Sequence, residues 1–350
     1  MKTPFSQCDS TSDRIVRPRP RAMVIDVIAG RDLTSAMALC PGGMMSMAVT
    51  DVMESSGASW PEAHSDSVAM ATLSAAMYAA TGFDNLAFPF CMTVEAESFG
   101  ASADLGGLCV QPRVTKPVLA PDGSGSLSKP DFTHGRARVV LDAIALARNR
   151  RPDAAIIGGI TGPFSLLGTL CDPLGVFRWT RRRKGVLHSY LDKLTEGLTT
   201  YALTQVKAGA DVICIAEPTA TGEILGGPLF GEFVRPRIES ITTTLHAAGA
   251  HVIVHICGDT AAIEQELFAL PADAVSFDSV ADIVAIARRR PPWRVMGNID
   301  PFFLNSASIG AVKSACVRLC ENGVRLIAPG CGVIPTTPVE NLRAMRSALS

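Results

Sequence analysis

Three residues of this chain combine side-chain types that bind borderline and soft metal ions. His255 and Cys257 stand two apart at the end of the apolar run HVIVHIC, and Cys331 follows later in APGCGVIP. Residues two apart in a β-strand point to the same side, so the imidazole and the thiol would face one space. One imidazole and two thiols suit Zn²⁺, and three protein ligands leave a fourth position open for catalysis. A buried core histidine with two inert cysteines would fit the same residue types.

Other polar side chains also follow the ends of apolar runs. Glu217 and Asp278 are candidates for a fourth metal ligand, alongside water, and Glu217 is predicted to be catalytic with the three metal-binding residues. Asp278 could instead hold the metal-binding histidine through its second ring nitrogen. The residues predicted to bind substrate are Cys91, Thr161, Asp278 and Asn298.

Several of these residues also have a purely structural interpretation, which the sequence leaves open. Glu217 could cap a helix or bond a loop, Cys91 could be a small buried hydrophobe, and Asn298 could be a turn residue in MGNIDP. His251 shares the strand face of His255 but lies at the other end of the run, so a structural role is predicted for it.

The elements that must position these residues are short apolar runs separated by amphipathic stretches. Eight runs rich in Val and Ile are predicted as strands, over 22–29, 85–90, 154–160, 211–216, 251–257, 273–278, 293–299 and 323–329. Helices are predicted over 66–82, 135–150, 189–210, 235–250, 260–270, 279–290, 307–323 and 338–349. Strands that are apolar on both faces and separated by helices indicate a parallel sheet.

Eight such units favour an α/β fold of the closed (β/α)₈ type, a TIM barrel. The alternative, an open doubly wound sheet, lacks its glycine-rich fingerprint, because GGITGP after the third run is not G-x-G-x-x-G. In such barrels the catalytic residues come from the carboxyl ends of the strands. The candidate residues stand at these ends, so the barrel would gather them at one mouth.

The composition limits the function classes. The 350-residue chain carries a net charge of −1, which gives no electrostatic footprint for nucleic acid. Its apolar runs are far shorter than the ~20 residues that span a bilayer, so no membrane segment is predicted. Residues 1–21 are predicted to be a polar arm without a secretory signal, and 22–350 a single catalytic domain. Ten cysteines without regular spacing then indicate reduced thiols and a cytoplasmic location.

Two segments carry a family resemblance. HICGDT, followed later by GCGVIPTTPVENLRAM, resembles the uroporphyrinogen decarboxylase superfamily, in particular the zinc methyltransferase branch typified by methylcobamide:coenzyme M methyltransferases. The segments SSGASWPEAHSD, PFCMTVEAESFGA, GGITGPFSL and IAEPTATGEILG resemble the same branch. The resemblance covers residues 22–349. It implies a (β/α)₈ barrel, zinc on His255, Cys257 and Cys331, and methyl transfer between a corrinoid and a small acceptor such as the thiol coenzyme M.

The resemblance leaves other activities to be weighed. True decarboxylases have an arginine-bearing segment of the type M-R-Q-A-G-R, whereas LCPGGMMSMAVTD at 39–51 has no arginine to clamp a carboxylate-rich substrate. Cobalamin-independent methionine synthases resemble the chain in their H-x-C…C zinc site but need a later glutamate, where this chain offers Asp278. Tetrahydrofolate and homocysteine stay open as acceptors. A non-catalytic corrinoid-binding module is a third class, but it would have no reason to keep the metal triad.

The chain has no D-x-H-x-x-G segment of a corrinoid-binding domain, so methylcobalamin is predicted to arrive on a partner protein or as a free substrate. The basic run RWTRRRKG at 178–185 is predicted to lie in the loop after the third strand. It is either a solvated loop or a dock for the corrinoid protein or for the anionic tail of the acceptor. The oligomeric state is left open, with a homodimer as one alternative.

Overall fold

The computed structural model describes residues 18–41 and 48–349. These residues form the strands β1 (Met37–Ala38), β2 (Asn85–Phe88), β3 (Ser102–Asp104), β4 (Arg113–Lys116), β5 (Ala155–Thr161), β6 (Val212–Glu217), β7 (His251–Ile256), β8 (Ala274–Phe277), β9 (Arg294–Met296) and β10 (Leu326–Ile327). Eight of them form one parallel sheet in the order β1-β10-β9-β8-β7-β6-β5-β2, while β3 and β4 form a separate hairpin. The order follows the chain around a (β/α)₈ barrel, as predicted.

The helices between the strands form the outer layer of the barrel. They are α1 (Arg21–Ile28), α2 (Thr50–Ser56), α3 (Ser67–Thr81), α4 (Val94–Ser98), α5 (Gly135–Arg150), α6 (Pro163–Leu170), α7 (Pro173–Arg182), α8 (Lys184–Ala208), α9 (Gly226–Leu229), α10 (Arg235–Ala247), α11 (Glu264–Phe268), α12 (Ile283–Arg288), α13 (Pro301–Ser306), α14 (Ile309–Glu321) and α15 (Val339–Ser347). Within the described part of the chain, none is long and apolar enough to cross a bilayer.

The first predicted strand was wrong. Residues 22–29 lie in helix α1 and the residue after it, and the first barrel strand is β1 instead. Val24, Val27 and Ile28 are completely buried in the barrel interior. The backbone N–H of Arg21 bonds the carbonyl of Asp153, just before β5, so α1 closes the amino-terminal end of the barrel. The first 17 residues of the predicted polar arm lie outside the described residues.

The barrel closes between β1 and β2 without a backbone ladder. The Asp84 backbone N–H donates to the carbonyl of Ala38 at 2.9 Å, and the Ala38 N–H donates to Asp84 Oδ2 at 2.9 Å. One residue further, the Asn85 amide accepts from the N–H of Cys40 at 2.9 Å and donates to its carbonyl at 2.7 Å. The side chains of Asp84 and Asn85 therefore bond backbone groups that a regular ladder between β1 and β2 would otherwise pair.

The basic run is helical, so its prediction as a loop was wrong. Arg178, Arg181 and Arg182 lie on α7, whose opposite side buries Val176 and Trp179. The three arginines are exposed and form no ion pair among the described residues. The run does follow the third barrel strand, on the side where the strands end.

Candidate metal centre

His255, Cys257 and Cys331 come together at the carboxyl end of the barrel. His255 is completely buried on β7, while Cys257 just beyond the strand and Cys331 beyond β10 are half-buried. Nε2 of His255 lies 3.2 Å from Sγ of Cys257, and the two sulfur atoms are 4.0 Å apart. All three donor atoms lie within 4.8 Å of one another. The strand parity that suggested convergence therefore corresponds to a compact group.

The donor atoms fit a zinc ion. Tetrahedral Zn²⁺, with bonds of ~2.3 Å to sulfur and ~2.0 Å to nitrogen, holds neighbouring donors roughly 3.5–3.8 Å apart. The measured separations of 3.2 and 4.0 Å lie on either side of that range. One nitrogen and two sulfurs are also the donor types that zinc prefers, and they leave one position for a further ligand. The described residues can therefore hold the metal in a catalytic rather than a closed structural arrangement.

Backbone packing fixes the position of Cys331. The N–H of Gly330 donates to the carbonyl of Ile299 at 2.7 Å. A Cβ on Gly330 would lie only 2.7 Å from the backbone nitrogen of Ser279. Glycine is needed before Cys331 because two segments of backbone approach closely there, and a side chain would push the thiol-bearing loop away.

Without a metal, the two thiols titrate as a coupled pair. A hydrogen bond from Cys257 lowers the pKa of Cys331 to about 5, although burial opposes the shift. The pKa of Cys257 is raised, first by that same hydrogen bond and then by burial. The opposite shifts favour a thiolate on Cys331 and a thiol on Cys257. A metal that binds both sulfurs must displace the thiol proton.

Ser276 orients His255, the candidate metal ligand, and sequence reasoning missed it. Its hydroxyl lies 3.1 Å from Nδ1 of His255, and the two residues are direct partners in the β7–β8 ladder. Because Nδ1 is bonded to Ser276, Nε2 is the nitrogen left facing Cys257. The alternative prediction that Asp278 holds the histidine was wrong. The available signal was strand alternation, since Ser276 on β8 precedes Asp278, the residue just after the strand, by two.

Asp278 borders the thiols and anchors the loop beside them. Its Oδ2 accepts from the N–H of Gly258 at 3.1 Å, directly after the Cys257 position. The Asn298 amide donates to the backbone carbonyls of Asp278 and Ala281, at 2.8 and 2.9 Å. Asn298 thus positions the loop that carries Asp278. Substrate contact by either residue, and metal ligation by Asp278, stay predictions.

Glu217 points away from the triad and caps a helix. Its carboxylate accepts from the N–H groups of Phe164 and Ser165 at 3.0 and 2.9 Å, at the start of α6. In the β6–β7 ladder it is Ala216 that pairs with His255, so Glu217 occupies the opposite strand face. Burial raises its pKa to about 7. The capping interpretation has these contacts in its favour, and a catalytic role for Glu217 stays a prediction.

Cys91 and Thr161 line one small cavity inside the barrel. The cavity is also lined by Glu95 and Ala216, and Ala216 is the ladder partner of His255. The Thr161 N–H donates to Glu95 Oε1 at 2.9 Å. Sγ of Cys91 accepts from Nη2 of Arg136 at 2.7 Å. The structure therefore brings both predicted residues near the triad's strand, while their contact with substrate stays a prediction.

Comparison with known proteins identifies the protein family of the chain. The sequence profile described as uroporphyrinogen decarboxylase (URO-D) matches residues 19–350. The methylcobamide:CoM methyltransferase MtaA of Methanosarcina barkeri is 31% identical over 305 residues, which are 86% of this chain and 89% of that protein. The methylcobamide:CoM methyltransferase MtbA of Methanosarcina acetivorans is 32% identical over 301 residues, which are 85% of this chain and 88% of that protein.

A solved structure extends the likeness to three dimensions. A methyltransferase from Methanosarcina mazei superposes with a TM-score of 0.88 at 27% identity. The match covers 95% of this chain and 98% of that one. Almost the whole barrel therefore has a counterpart in a methyltransferase.

Proposed function

The chain belongs to the uroporphyrinogen decarboxylase family, and we propose that it is a zinc-dependent methyltransferase within it. It moves a methyl group between a corrinoid and a small thiol such as coenzyme M. The convergence of His255, Cys257 and Cys331 within 4.8 Å carries this proposal. The relatives named as methylcobamide:CoM methyltransferases support the reaction class.

The charges of the triad suit a thiol acceptor. Zn²⁺ bound there would lower the pKa of a coordinated thiol and keep it as the nucleophilic thiolate. Cys257 and Cys331 as thiolates balance the charge of a divalent cation, and His255 adds none because histidine binds a metal as the neutral imidazole. An acceptor thiolate would then carry the surplus negative charge of the site. Its sulfur therefore stays electron-rich.

The reaction is a displacement at the methyl carbon. The acceptor sulfur forms a bond to the methyl carbon while the cobalt–carbon bond breaks and leaves its electron pair on cobalt. The thiol proton passes to solvent. The reverse displacement methylates the corrinoid from a thioether. The corrinoid comes on a partner protein or as free methylcobalamin, and a cytoplasmic location and a homodimer stay predictions.

Two alternatives to methyl transfer to coenzyme M are considered. Homocysteine or tetrahydrofolate would use the same triad with a different acceptor. Uroporphyrinogen decarboxylation has less support, because the 39–51 segment has no arginine. Residues 42–47 of that segment lie outside the described residues. Loss of CO₂ from a porphyrinogen would reveal this activity directly.

Metal analysis and a spectroscopic assay test the proposal. The purified protein is expected to hold stoichiometric zinc and to demethylate methylcobalamin, followed by its absorbance, with coenzyme M, homocysteine or tetrahydrofolate as acceptors. Cys331→Ser should lose zinc and activity together. Cys316→Ser, which changes a buried cysteine on α14, is the matched control. A protein that holds no stoichiometric zinc and whose Cys331→Ser variant keeps full activity would refute the proposal.

A further inference from the structure

Two buried polar side chains between α2 and α3 have no hydrogen-bond partner among the described residues. His64, at the end of the short 3₁₀ helix Glu62–His64, is completely buried, and neither ring nitrogen is bonded. The indole N–H of Trp60, which is 2% exposed, is also unpaired. The two rings contact each other with centroids 5.0 Å apart. Unpaired buried polar groups are destabilising and rare, so such a pair needs a physical reason.

A buried arginine sets the electrostatic field at this pair. Arg136 is 9% exposed, and its Nε donates to the backbone carbonyl of His64 at 2.9 Å. Its other nitrogens bond Thr93, Glu97 and Cys91. Burial, followed by the charge of Arg136, lowers the pKa of His64 to about 3. The ring is therefore neutral at physiological pH and offers one N–H donor and one bare nitrogen.

Contacts link the pair to the loop that carries Cys331. The backbone N–H of Thr50, at the start of α2, donates to the carbonyl of Pro335 at 2.8 Å. In the middle of α2, Sδ of Met53 accepts from the backbone N–H of Trp60 at 3.4 Å. One short helix therefore connects the Trp60–His64 pair to the segment that follows the metal-binding thiol.

Contacts also link the pair to the barrel interior on its other side. Arg136, which bonds the carbonyl of His64, holds Sγ of Cys91 at 2.7 Å. Cys91 lines the small cavity whose wall includes Ala216, the ladder partner of His255. The pair thus borders the same end of the barrel as the metal centre, on the side of β1 and β2.

We propose that Trp60 and His64, beside Arg136, form the subsite for the anionic end of the acceptor, a sulfonate or a carboxylate. The imidazole and indole N–H groups would each donate to one oxygen of the anion. The guanidinium of Arg136 lies beside the pair and is ion-paired with Glu97, so it offers the anion a positive charge that is already partly balanced. This inference rests on the proposed function, because it assigns the end of the acceptor opposite to the reacting thiol.

A series of thiols separates the subsite from the reaction. The acceptors are 2-mercaptoethanesulfonate, 3-mercaptopropionate and the uncharged 2-mercaptoethanol, with free methylcobalamin as methyl donor. The wild type should prefer the two anions, and comparison of these two shows whether sulfonate or carboxylate fits better. Trp60→Phe and His64→Leu should each reduce the preference for the anions about 10-fold to 100-fold, as expected for a lost hydrogen bond to a charged group. The kcat/KM for 2-mercaptoethanol should change little.

A second readout needs neither zinc nor catalysis. Ethanesulfonate and propionate have the anionic ends but no thiol, and calorimetry can measure their binding to the metal-free protein against ethanol as the uncharged control. Trp60→Phe keeps a ring against His64 and removes only the N–H, so it should weaken anion binding without disturbing the fold. Equal, weak binding by the wild type and the variant would overturn the subsite.

Thermal stability distinguishes a binding role from a structural one. His64→Leu removes unpaired buried polar atoms and leaves the backbone carbonyl bonded to Arg136, so its Tm should not fall. Thr242→Val, which removes another unpaired buried hydroxyl, is the matched control and should leave the acceptor preference unchanged. His64→Gln keeps a donor and an acceptor and should restore part of the preference.

The outcomes separate the two proposals. If thiols are methylated but the variants keep the wild-type preference, the subsite is wrong and the methyltransferase function stands. If ethanesulfonate binding depends on Trp60 and His64 while no thiol is methylated, the subsite stands and the function is wrong. If the variants lose activity equally with all three thiols and have a lower Tm, the residues are structural and the subsite is wrong.

Discussion

Replacing Ser276 by alanine should weaken zinc binding without touching a metal ligand. The hydroxyl is completely buried and lies 3.1 Å from Nδ1 of His255, which is itself completely buried. No solvent can replace the lost contact, so Ser276→Ala leaves a buried ring nitrogen unpaired and lets the imidazole rotate. Ser276 donates to, or accepts from, the one nitrogen that does not face Cys257.

Two independent magnitudes agree on the size of the effect. An unpaired buried polar group costs about 1–3 kcal/mol. Loss of a group that orients a metal ligand typically lowers metal affinity about 10-fold to 100-fold, and tenfold corresponds to about 1.4 kcal/mol. We therefore expect the Kd for zinc to rise about 10-fold to 100-fold in Ser276→Ala.

Competition with a chromophoric zinc chelator at neutral pH measures this Kd. Ser165→Ala is the matched control, because it removes another buried hydroxyl that bonds Thr219 rather than the triad. In a His255→Ala background, Ser276→Ala should have no further effect, since Ser276 acts through the histidine. A zinc Kd that stays near the wild-type value in Ser276→Ala would refute the reasoning.

Three further predictions concern stability and docking. Because burial raises the pKa of Glu217 to about 7, the folded state holds a proton that the unfolded chain releases at its ordinary pKa of 4.5. The free energy of unfolding should therefore fall by roughly 3 kcal/mol from pH 4.5 to 7. Urea unfolding of Glu217→Gln should not show this pH dependence, and parallel pH profiles of the wild type and the variant would contradict the prediction. Asn85→Leu removes both side-chain hydrogen bonds to the backbone of Cys40 beside β1 and should lower the free energy of unfolding by about 2–4 kcal/mol. An unchanged midpoint in urea unfolding would contradict this. Replacing Arg181 and Arg182 by alanine should raise KM for a methylated corrinoid protein but not for free methylcobalamin. Lys184→Ala is its control, since that lysine pairs with Glu232, and equal KM values would end the docking idea.

The barrel was predictable because its strands are buried on both faces. Seven of the eight predicted strands overlap observed ones. An uninterrupted run rich in Val and Ile between helices is typical of a parallel strand that is buried on both faces. The run at 22–29 has the same composition but buries Val24, Val27 and Ile28, the i, i+3 and i+4 spacing of a helix. Periodicity, rather than composition, carried the correct signal there. The true β1 has only two residues, too few for any pattern.

The convergence of the candidate metal ligands was predictable, but the contacts that support them were not. Parity at the end of β7 places His255 and Cys257 on one face whatever the details of the loops. The role of Ser276 depends on the register between β7 and β8, which a single strand does not encode. Glu217 follows its strand like the other candidates, yet the β6–β7 register assigns it to the opposite face, where it caps α6. The side chains on one face can be predicted from a single strand, whereas the side chains that contact them can be predicted only from the register between two strands.

The candidate metal centre therefore depends on contacts that leave a much weaker pattern in the sequence than its ligands do. Cys331 follows β10, a strand of only two residues, so the ladder alone does little to fix it. Its place is set by the bond from Gly330 to Ile299 and by the close approach of Gly330 to Ser279. The sulfur separation of 4.0 Å already exceeds the roughly 3.8 Å of a tetrahedral zinc site, so little outward displacement is tolerable. The glycine before the thiol is consequently as much a part of the site as the thiol, because it decides whether the two sulfurs can share one ion.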